Sequence, residues 1–179
     1  MIRRLHFDDA AAYADLRREM LVDSPLAFVS SPDDDMFSSL DRAREQLRQI
    51  PQSAIFGAFD PDLIGAAGLY RDRHVKSSHK AHLWGMYVAP GRRRQGIAVD
   101  LLNATLQYAR ELTGVSSVHL SVSSAAPEAR GLYERFGFHL WGTEPDALRH
   151  DGQTVVEYHM ALQFEDADSA AKRQTEDKR

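Results

Sequence analysis

Cysteine is absent from the 179 residues of this chain. Its absence excludes disulfides, thiolate nucleophiles and cysteine-ligated metal sites, and it fits a reducing compartment. The sequence also lacks an apolar run long enough to span a membrane. The first residues lack the extended apolar core of a secretory signal. We therefore expect a cytoplasmic protein that does not bind membranes.

The chain also has no excess of positive charge. Lys and Arg total 22 against 26 Asp and Glu, which gives a net charge of −4. The surface as a whole therefore gives no electrostatic reason to expect a nucleic-acid partner. The length corresponds most simply to one domain. We predict that residues 1–164 form this domain and that the polar, aperiodic residues 165–179 form a disordered tail.

The most informative segment is a predicted strand, basic loop and helix. Leu83 to Val88 is short, apolar and partly aromatic, which is typical of a buried strand. Ala89-Pro90-Gly91 then predicts a type II turn. The helix that follows is predicted from apolar residues at spacings of three and four, namely Ile97, Leu101, Ala104, Tyr108 and Leu112.

The junction before this helix has the features of an anion site. The first N–H groups of a helix have no intrahelical partner, and the helix dipole adds partial positive charge there. Gly96 has no Cβ and Ala98 is small, so a ligand can approach the backbone, while Arg93 and its neighbours bring positive charge. The alternative is a surface turn with solvated arginines. The strand before and the helix after favour a cradle for phosphate or pyrophosphate.

Two motifs resemble the GNAT N-acetyltransferase superfamily. Residues 93–98, Arg-Arg-Gln-Gly-Ile-Ala, match the family's Arg/Gln-x-x-Gly-x-Gly/Ala loop, which binds the pyrophosphate of acetyl-CoA. Residues 129–138, Ala-Arg-Gly-Leu-Tyr-Glu-Arg-Phe-Gly-Phe, are similar to its Ala-x-x-Leu-Tyr-Glu-x-x-Gly-Phe. Both motifs stand in the family's order and at its separation. The resemblance implies acetyl-CoA as co-substrate, with no metal.

The resemblance also implies where the cofactor lies. Strands four and five would splay apart after running parallel, and the pantetheine arm would lie between them. Its amides would bond the backbone at Met86, Tyr87 and Val88, as an added strand does. The pyrophosphate would be held by Arg93, Arg94, Gln95, Gly96, Ile97 and Ala98. Many relatives carry Asn at the position of Ala126, so either its contact to the cofactor is missing here or Ser123 or Ser124 supplies a substitute.

The predicted elements follow the order β-α-α-β-β-β-α-β-α-β-β. We predict a first strand from Ile2 to Phe7, a helix from Ala10 to Val22 and a second helix that begins at Pro32 to Asp35. A turn is predicted from Gly142 to Gly152, between the last two strands. With the resemblance, this order predicts an α/β fold with a central mixed, mostly antiparallel sheet of about seven strands and helices on both faces.

Two residues are candidates for acid–base chemistry. Tyr133, the Tyr of the matched Leu-Tyr-Glu, would protonate the departing thiolate; the alternative is a core aromatic residue. His82 falls where histone-acetylating relatives carry a catalytic Glu, and an imidazole can accept a proton at neutral pH. The alternative for His82 is an ordinary histidine at a strand start. Alternation predicts that His82, Trp84 and Met86 share one face of their strand.

The acceptor is predicted as a chemical class. We expect a primary amine of a small molecule or a protein N-terminus, acetylated by direct transfer in a ternary complex. Glu157, Tyr158 and His159 in the last strand are candidates to line its pocket. The acids Asp33 to Asp35 would either attract a cationic acceptor or stabilise a helix start.

Other functions and assemblies remain open from the sequence. A non-catalytic acyl-CoA sensor is the alternative function, and a homodimer is compatible with the sequence. His74, His79 and His82 lack the supporting ligands of a metal site, so no metal is expected.

Overall fold

The computed structural model describes residues 1–37, 39–48 and 50–164. One mixed sheet has the strand order β1-β2-β3-β4-β5-β7-β6. All neighbouring strands are antiparallel except β4 and β5, which are parallel. The strands are β1 (Ile2–Arg4), β2 (Ser53–Phe59), β3 (Leu63–Arg71), β4 (Lys80–Val88), β5 (Ser117–Ser123), β6 (His139–His150) and β7 (Gln153–Gln163). The predicted mixed, mostly antiparallel sheet of seven strands is confirmed.

Helices cover both faces of the sheet, as predicted. They are α1 (Ala10–Asp23), α2 (Leu40–Gln46), α3 (Ile97–Glu111) and α4 (Pro127–Arg135). On one face Leu101 of α3 and Leu132 of α4 are buried in what we call the α3/α4 core. On the other face Tyr13 and Met20 of α1 are buried in the α1/α2 core. Each fully buried side chain of this size contributes about 1.5–3 kcal/mol to folding.

The two parallel strands separate soon after they meet. β4 and β5 pair over three registers, of which the last is His82↔His119. β4 continues to Val88 and β5 to Ser123 without further pairing between them. Their facing edges therefore carry N–H and C=O groups without a strand partner. We call this opening the wedge; it is the predicted splay of strands four and five.

A bulge in β4 changes which side chains face each core. The β3–β4 register shifts where β4 contains Gly85, whose φ is 59°. Glycine adopts this left-handed conformation at little cost, and a bulge inserts one extra residue. Trp84 consequently packs in the α1/α2 core, whereas Met86 packs against the α3/α4 core. The predicted shared face is therefore wrong for Met86, because the extra residue inverts the alternation.

The N-terminal elements differ from the prediction in two places. β1 ends at Arg4 because Phe7–Asp9 forms a 3-10 helix, in which Asp9 accepts a 2.7 Å hydrogen bond from the His6 N–H. The second helix does not begin at Pro32 to Asp35, since α2 begins at Leu40.

The acids that suggested this second helix have other partners. The Asp35 carboxylate is buried and accepts hydrogen bonds from the Arg17 guanidinium at 2.9 and 3.1 Å. Its other oxygen accepts from the Phe37 N–H at 3.1 Å. Asp34 accepts from the N–H and hydroxyl of Ser31 and closes a turn. Asp35 thus neutralises a buried cation, and it is neither a helix cap nor an exposed attractor of ligands.

The predicted turn from Gly142 to Gly152 is mostly strand. β6 continues to His150, and only Asp151 and Gly152, with φ of 47° and 76°, turn the chain into β7. β6 is exposed along most of its length, and its register with β7 shifts twice. A strand with this exposure and irregular pairing has no clear apolar alternation to reveal it.

Candidate functional site

The loop before α3 presents a row of free backbone amides. Arg94 and Gly96 both lie in the left-handed region, with φ of 66° and 84°. In the described part of the chain, the N–H groups of residues 94–99 donate to no protein acceptor. Successive unpaired amides at a helix start form a concave site with partial positive charge. This cradle lies in the segment where the sequence predicts an anion site, and anion binding there stays a prediction.

The turn that leads into the cradle differs from the prediction. Pro90–Arg92 forms a 3-10 helix, and Gly91 does not have the positive φ that a type II turn requires. The chain reaches its left-handed conformations later, at Arg94 and Gly96. A Cβ built on Gly96 would meet no protein atom within 4 Å. The space beside the amides is therefore open to a ligand.

Arg93 points away from the cradle. Its Nε donates to the Val88 carbonyl oxygen at 2.9 Å, and its guanidinium pairs with Asp23 at the end of α1. Burial opposes ionisation of Asp23, yet hydrogen bonds from Ser24 and Arg93 hold the pKa of its carboxyl below the usual value. Arg93 thus fastens the loop to α1 and β4, and its predicted contact with pyrophosphate is not prepared in this conformation.

The other residues of the loop make few or only apolar contacts with the rest of the chain. The exposed Arg94 side chain makes no hydrogen bond or ion pair with any described residue. The Gln95 amide donates weakly to the Gly91 carbonyl oxygen, at 3.4 Å. Ile97 and Ala98 pack against the α3/α4 core and anchor the helix start.

We expect Arg93→Gln and Arg94→Gln to have different effects. Arg93→Gln should lower the melting temperature, because it removes a pair that joins the loop to α1. Arg94→Gln should leave the melting temperature unchanged and weaken acetyl-CoA binding several-fold at low salt, because it removes a free cation beside the amides. Thermal unfolding and calorimetric titration with acetyl-CoA measure the two effects.

The pH dependence provides a check on Arg93. The pKa of Asp23 is lowered in the folded protein, so the stabilisation from its pair is present above the pKa of the unfolded carboxyl. It should be lost as the pH falls through the lower folded pKa. The stability difference between wild type and Arg93→Gln should therefore shrink over this pH range to the part that the bond to the Val88 carbonyl oxygen contributes, and a difference that did not shrink would contradict this assignment.

The wedge offers backbone groups along β4. Tyr87 and Val88 pair with β3 on one side, and no β5 residue pairs with them on the other. The Val88 carbonyl oxygen already accepts from Arg93. The Met86 side chain packs against the α3/α4 core. An extended ligand could therefore add to the β4 edge next to Met86 and Tyr87.

Ser124 has a structural role at the end of β5. Its Oγ accepts a 3.1 Å hydrogen bond from the Val156 N–H, and its own N–H donates to the Val156 carbonyl oxygen at 2.8 Å. Ser123 Oγ accepts from the Ala125 N–H at 3.1 Å. Both oxygens thus bond backbone N–H groups, so a cofactor contact from Ser124 would use its hydroxyl proton.

Tyr133 lies in α4, within the α3/α4 core. The residue is 5% exposed, and its ring meets Phe138 edge-on at 5.8 Å. Its hydroxyl makes no hydrogen bond with any described residue. Burial raises the pKa of this phenol well above its usual value. Tyr133 is therefore a protonated group at neutral pH.

His82 lies on the opposite face, at the closed end of the wedge. Its ring stacks on Tyr70 at 4.9 Å and lies 5.7 Å from the ring of His119. His82 Nε2 is 3.3 Å from Asp72 Oδ2, within ion-pair distance but without hydrogen-bond geometry. Burial opposes the charge on Asp72, but interaction with His82 lowers the pKa of its carboxyl. This carboxylate would stabilise a protonated His82.

Sequence reasoning did not identify the neighbours of His82. His119 is adjacent because β4 and β5 are parallel, and Tyr70 is its partner in β3. Burial, and then the charges of His82 and Lys80, lower the pKa of His119. One feature of the sequence could have indicated that His119 lies near a site. Polar residues alternate along β5 with the buried Val118, Leu120 and Val122, which indicates a polar face opposite the apolar one.

The predicted acceptor residues of β7 lie on both faces. Tyr158 packs against the α3/α4 core, with the Arg130 guanidinium 4.3 Å from its ring centre. Glu157 and His159 alternate with Tyr158 and face the His119 side. Burial raises the pKa of Glu157, His159 opposes this effect and Glu144 adds to it. Glu157 and His159 thus remain acceptor candidates, on the same face as His82.

The described residues contain neither a cluster of metal ligands nor a membrane-spanning helix. Among these residues no group of three or more His, Asp or Glu side chains is arranged to hold a metal ion. No helix in this part of the chain is both long and apolar enough to cross a membrane.

Comparison with known proteins identifies a family and a common fold. Residues 14–138 match the model of the acetyltransferase (GNAT) family. A search of curated proteins found no match. The fold resembles a GNAT acetyltransferase from Streptococcus pneumoniae (TM-score 0.81, 15% identity, 92% of this chain and 99% of that chain covered). It also resembles a GCN5-related N-acetyltransferase from Kribbella flavida (0.77, 23%, 92% and 97%).

A third solved structure contains a ligand. It is yncA from Salmonella typhimurium with its cofactor acetyl-CoA, at a TM-score of 0.79 and 18% identity, with 93% of this chain and 94% of that chain covered. At such identities the solved structures establish the shared fold, and the family match rests on the sequence of residues 14–138.

Proposed function

This chain belongs to the acetyltransferase (GNAT) family, which uses acetyl-CoA, and from that premise we propose that it acetylates a primary amine of a small molecule or a protein N-terminus. The observation that carries the proposal is the row of free amides at residues 94–99, next to an unpaired wedge. Since the chain has no cysteine, the acetyl group passes directly from the thioester to the amine. Residues 1–164 act as one domain in this proposal.

Backbone and side-chain groups of this chain could bind the pyrophosphate and the pantetheine arm of acetyl-CoA. The N–H groups of residues 94–99 would bind the pyrophosphate, with Arg94 adding charge and Gly96 leaving space. The β4 edge at Met86 and Tyr87 would bond the pantetheine amides. The hydroxyl proton of Ser124 is available at the end of β5. Bound acetyl-CoA supplies the thioester whose acetyl group is transferred.

The acid and the base lie on opposite faces of the sheet. Tyr133, on the α3/α4 face, would give its proton to the departing thiolate. His82, on the α1/α2 face, would take the proton that the amine nitrogen loses as the amide forms, and Asp72 would stabilise the resulting charge. The amine would therefore approach from the face opposite the departing sulfur.

Turnover against a panel of amines tests the proposal. The purified protein is incubated with acetyl-CoA and a range of primary amines and N-terminal peptides, and free thiol is measured. We expect amine-dependent release of thiol and an acetylated product by mass spectrometry. A protein that binds acetyl-CoA tightly but releases no thiol with any amine would instead be the acyl-CoA sensor that the sequence left open.

His82→Gln should lower kcat about 10²-fold at neutral pH, the lower end of the usual effect of a positioned base. Glutamine keeps a polar side chain but cannot accept the proton. Affinity for acetyl-CoA should be unchanged, because the cradle is separate from His82. His74→Gln, in the exposed loop between β3 and β4, is the matched control. An equal loss in both variants, or none in His82→Gln, would remove His82 from the mechanism.

A further inference from the structure

Ser121, His159 and Glu144 lie next to one another on the adjacent strands β5, β7 and β6. Ser121 Oγ lies 2.8 Å from His159 Nδ1, within hydrogen-bond distance. His159 Nε2 lies 3.3 Å from Glu144 Oε2. Ser121 and His159 are direct partners in the β5–β7 register. The order is thus hydroxyl, imidazole and carboxylate, an arrangement that moves protons in many enzymes.

The imidazole is held in place by packing. Trp141 stacks on the His159 ring, with centres 5.3 Å apart and planes 29° apart. The β6–β7 register shifts between Leu140 and Gly142, so Trp141 is the extra residue of a bulge. Bulges redirect side chains and are frequent beside active sites. Trp141 therefore fixes the ring plane that both contacts require.

The partners assign the tautomer of His159. The negative charge of Glu144 lies 3.3 Å from Nε2 and favours a proton on that nitrogen, so Nε2 carries the proton that faces Glu144. Nδ1 is then the acceptor, and the Ser121 hydroxyl donates to it. The Ser121 oxygen retains lone pairs for a ligand. Glu144 would stabilise the charge formed when Nδ1 gains a proton.

This line of groups leads from the wedge to solvent. Ser121 is exposed on the part of β5 that has separated from β4, beyond His119. The side chains of His159 and Glu144 are 24% and 56% exposed. A proton accepted at Ser121 therefore has a hydrogen-bonded path to His159, whose Nε2 lies within ion-pair distance, but without hydrogen-bond geometry, of an exposed carboxylate.

We propose that Ser121, His159 and Glu144 form a relay that deprotonates the acceptor's ammonium group and releases its proton to solvent. The proposal rests on the amine acetyltransferase function proposed above. A simple alkyl amine, like a lysine side chain with a pKa of about 10.4, arrives protonated at neutral pH and cannot attack. The relay converts it to a nucleophile within the site.

The proton transfers balance. One N–H bond of the ammonium breaks as the proton passes to Ser121 Oγ, while the Ser121 proton passes to His159 Nδ1. The imidazolium of His159 then loses its Nε2 proton to solvent beside Glu144, and exchange with solvent restores the starting tautomer. The neutral nitrogen then forms its C–N bond, its second proton passes to His82, and the C–S bond breaks as Tyr133 protonates the sulfur. The proton on His82 replaces the one lost by Tyr133, through solvent. The net products are an amide, a thiol and one proton in solvent.

Other groups also face His159. The ring of His119 in β5 meets Trp141 edge-on, with ring centres 6.5 Å apart, and Glu157 lies two residues away along β7. Because His119 and Glu157 also titrate, the pH dependence of kcat/KM alone does not identify His159. It is assigned to His159 by comparing variants and by comparing acceptor amines of different basicity.

The test compares a strongly basic alkyl amine that the enzyme acetylates with a weakly basic aromatic amine. For His159→Gln at pH 7, kcat/KM should fall about 10- to 10²-fold with the alkyl amine. The loss should shrink as the pH rises towards the amine's pKa, because solution then supplies neutral amine. With the aromatic amine, already neutral at pH 7, the loss should be absent. Ser121→Ala should behave like His159→Gln, and His139→Gln on exposed β6 is the control.

Several results would overturn the relay. They are equal losses at all pH values and with both amines, which indicate a structural role, and unchanged kinetics in His159→Gln. If the aromatic amine is not acetylated by the wild type, the pH profile with the alkyl amine decides alone. If no amine is acetylated by the wild type, the proposed function fails and the relay fails with it.

Discussion

Gly96→Val is expected to weaken acetyl-CoA binding by about 10²–10⁴-fold while the fold is retained. The valine side chain would occupy the open space beside the free amides of residues 94–99. A hydrogen bond to a charged group is worth about 1.5–3 kcal/mol, so the loss of two accounts for this range. The left-handed φ of 84° also disfavours a branched side chain and costs some stability.

The control for Gly96→Val must share its backbone strain. Gly152 has a φ of 76°, and a Cβ there also meets no protein atom within 4 Å. It lies in the β6–β7 turn, outside the cradle. Gly152→Val should lose comparable stability and keep its affinity for acetyl-CoA in calorimetric titration. If a folded Gly96→Val protein bound acetyl-CoA like the wild type, the pyrophosphate would have to bind elsewhere.

Tyr133→Phe should reduce kcat by about 10²–10⁴-fold, the usual contribution of a positioned general acid. The phenylalanine ring still packs edge-on against Phe138, and the lost hydroxyl has no hydrogen-bond partner among the described residues. The melting temperature and the affinity for acetyl-CoA should therefore change little. Steady-state thiol release, with binding measured separately, tests this expectation.

Tyr13→Phe is the matched control for the loss of a buried hydroxyl. Tyr13 is fully buried in the α1/α2 core, and its hydroxyl has no hydrogen-bond partner among the described residues. The substitution removes the same atom without touching the wedge, so kcat should be unchanged. An active enzyme in which Tyr133→Phe turned over at the wild-type rate would exclude Tyr133 as the acid.

The bulge in β4 places neighbouring side chains on both faces of the sheet. Gly85 separates Trp84, which faces the α1/α2 core, from Met86, which faces the α3/α4 core. The same stretch of β4 thus contributes side chains to both faces of the wedge. In the proposed mechanism, a base on one face and an acid on the other would act on one thioester.

Local sequence patterns were enough to predict the position of the cradle and the order of the elements. A helix start leaves its first amides free, and a glycine accepts a left-handed φ, so a few consecutive residues around Gly96 suffice to indicate the site. Strands and helices with apolar faces were likewise visible, because their periodicity is local. β6 was largely missed for the same reason, since an exposed strand has little apolar periodicity.

The partners of the charged and polar side chains depend on how distant segments pack and could not be predicted from local sequence. Arg93 pairs with Asp23 instead of facing the cradle, although the two residues are 70 positions apart. His82 lies beside His119 because the two residues are partners in the parallel pairing of β4 and β5. His159 lies near Glu144 because the β6–β7 hairpin contains a bulge. Local sequence sets how a segment folds. Strand register and bulges, which depend on distant segments, set which side chains meet.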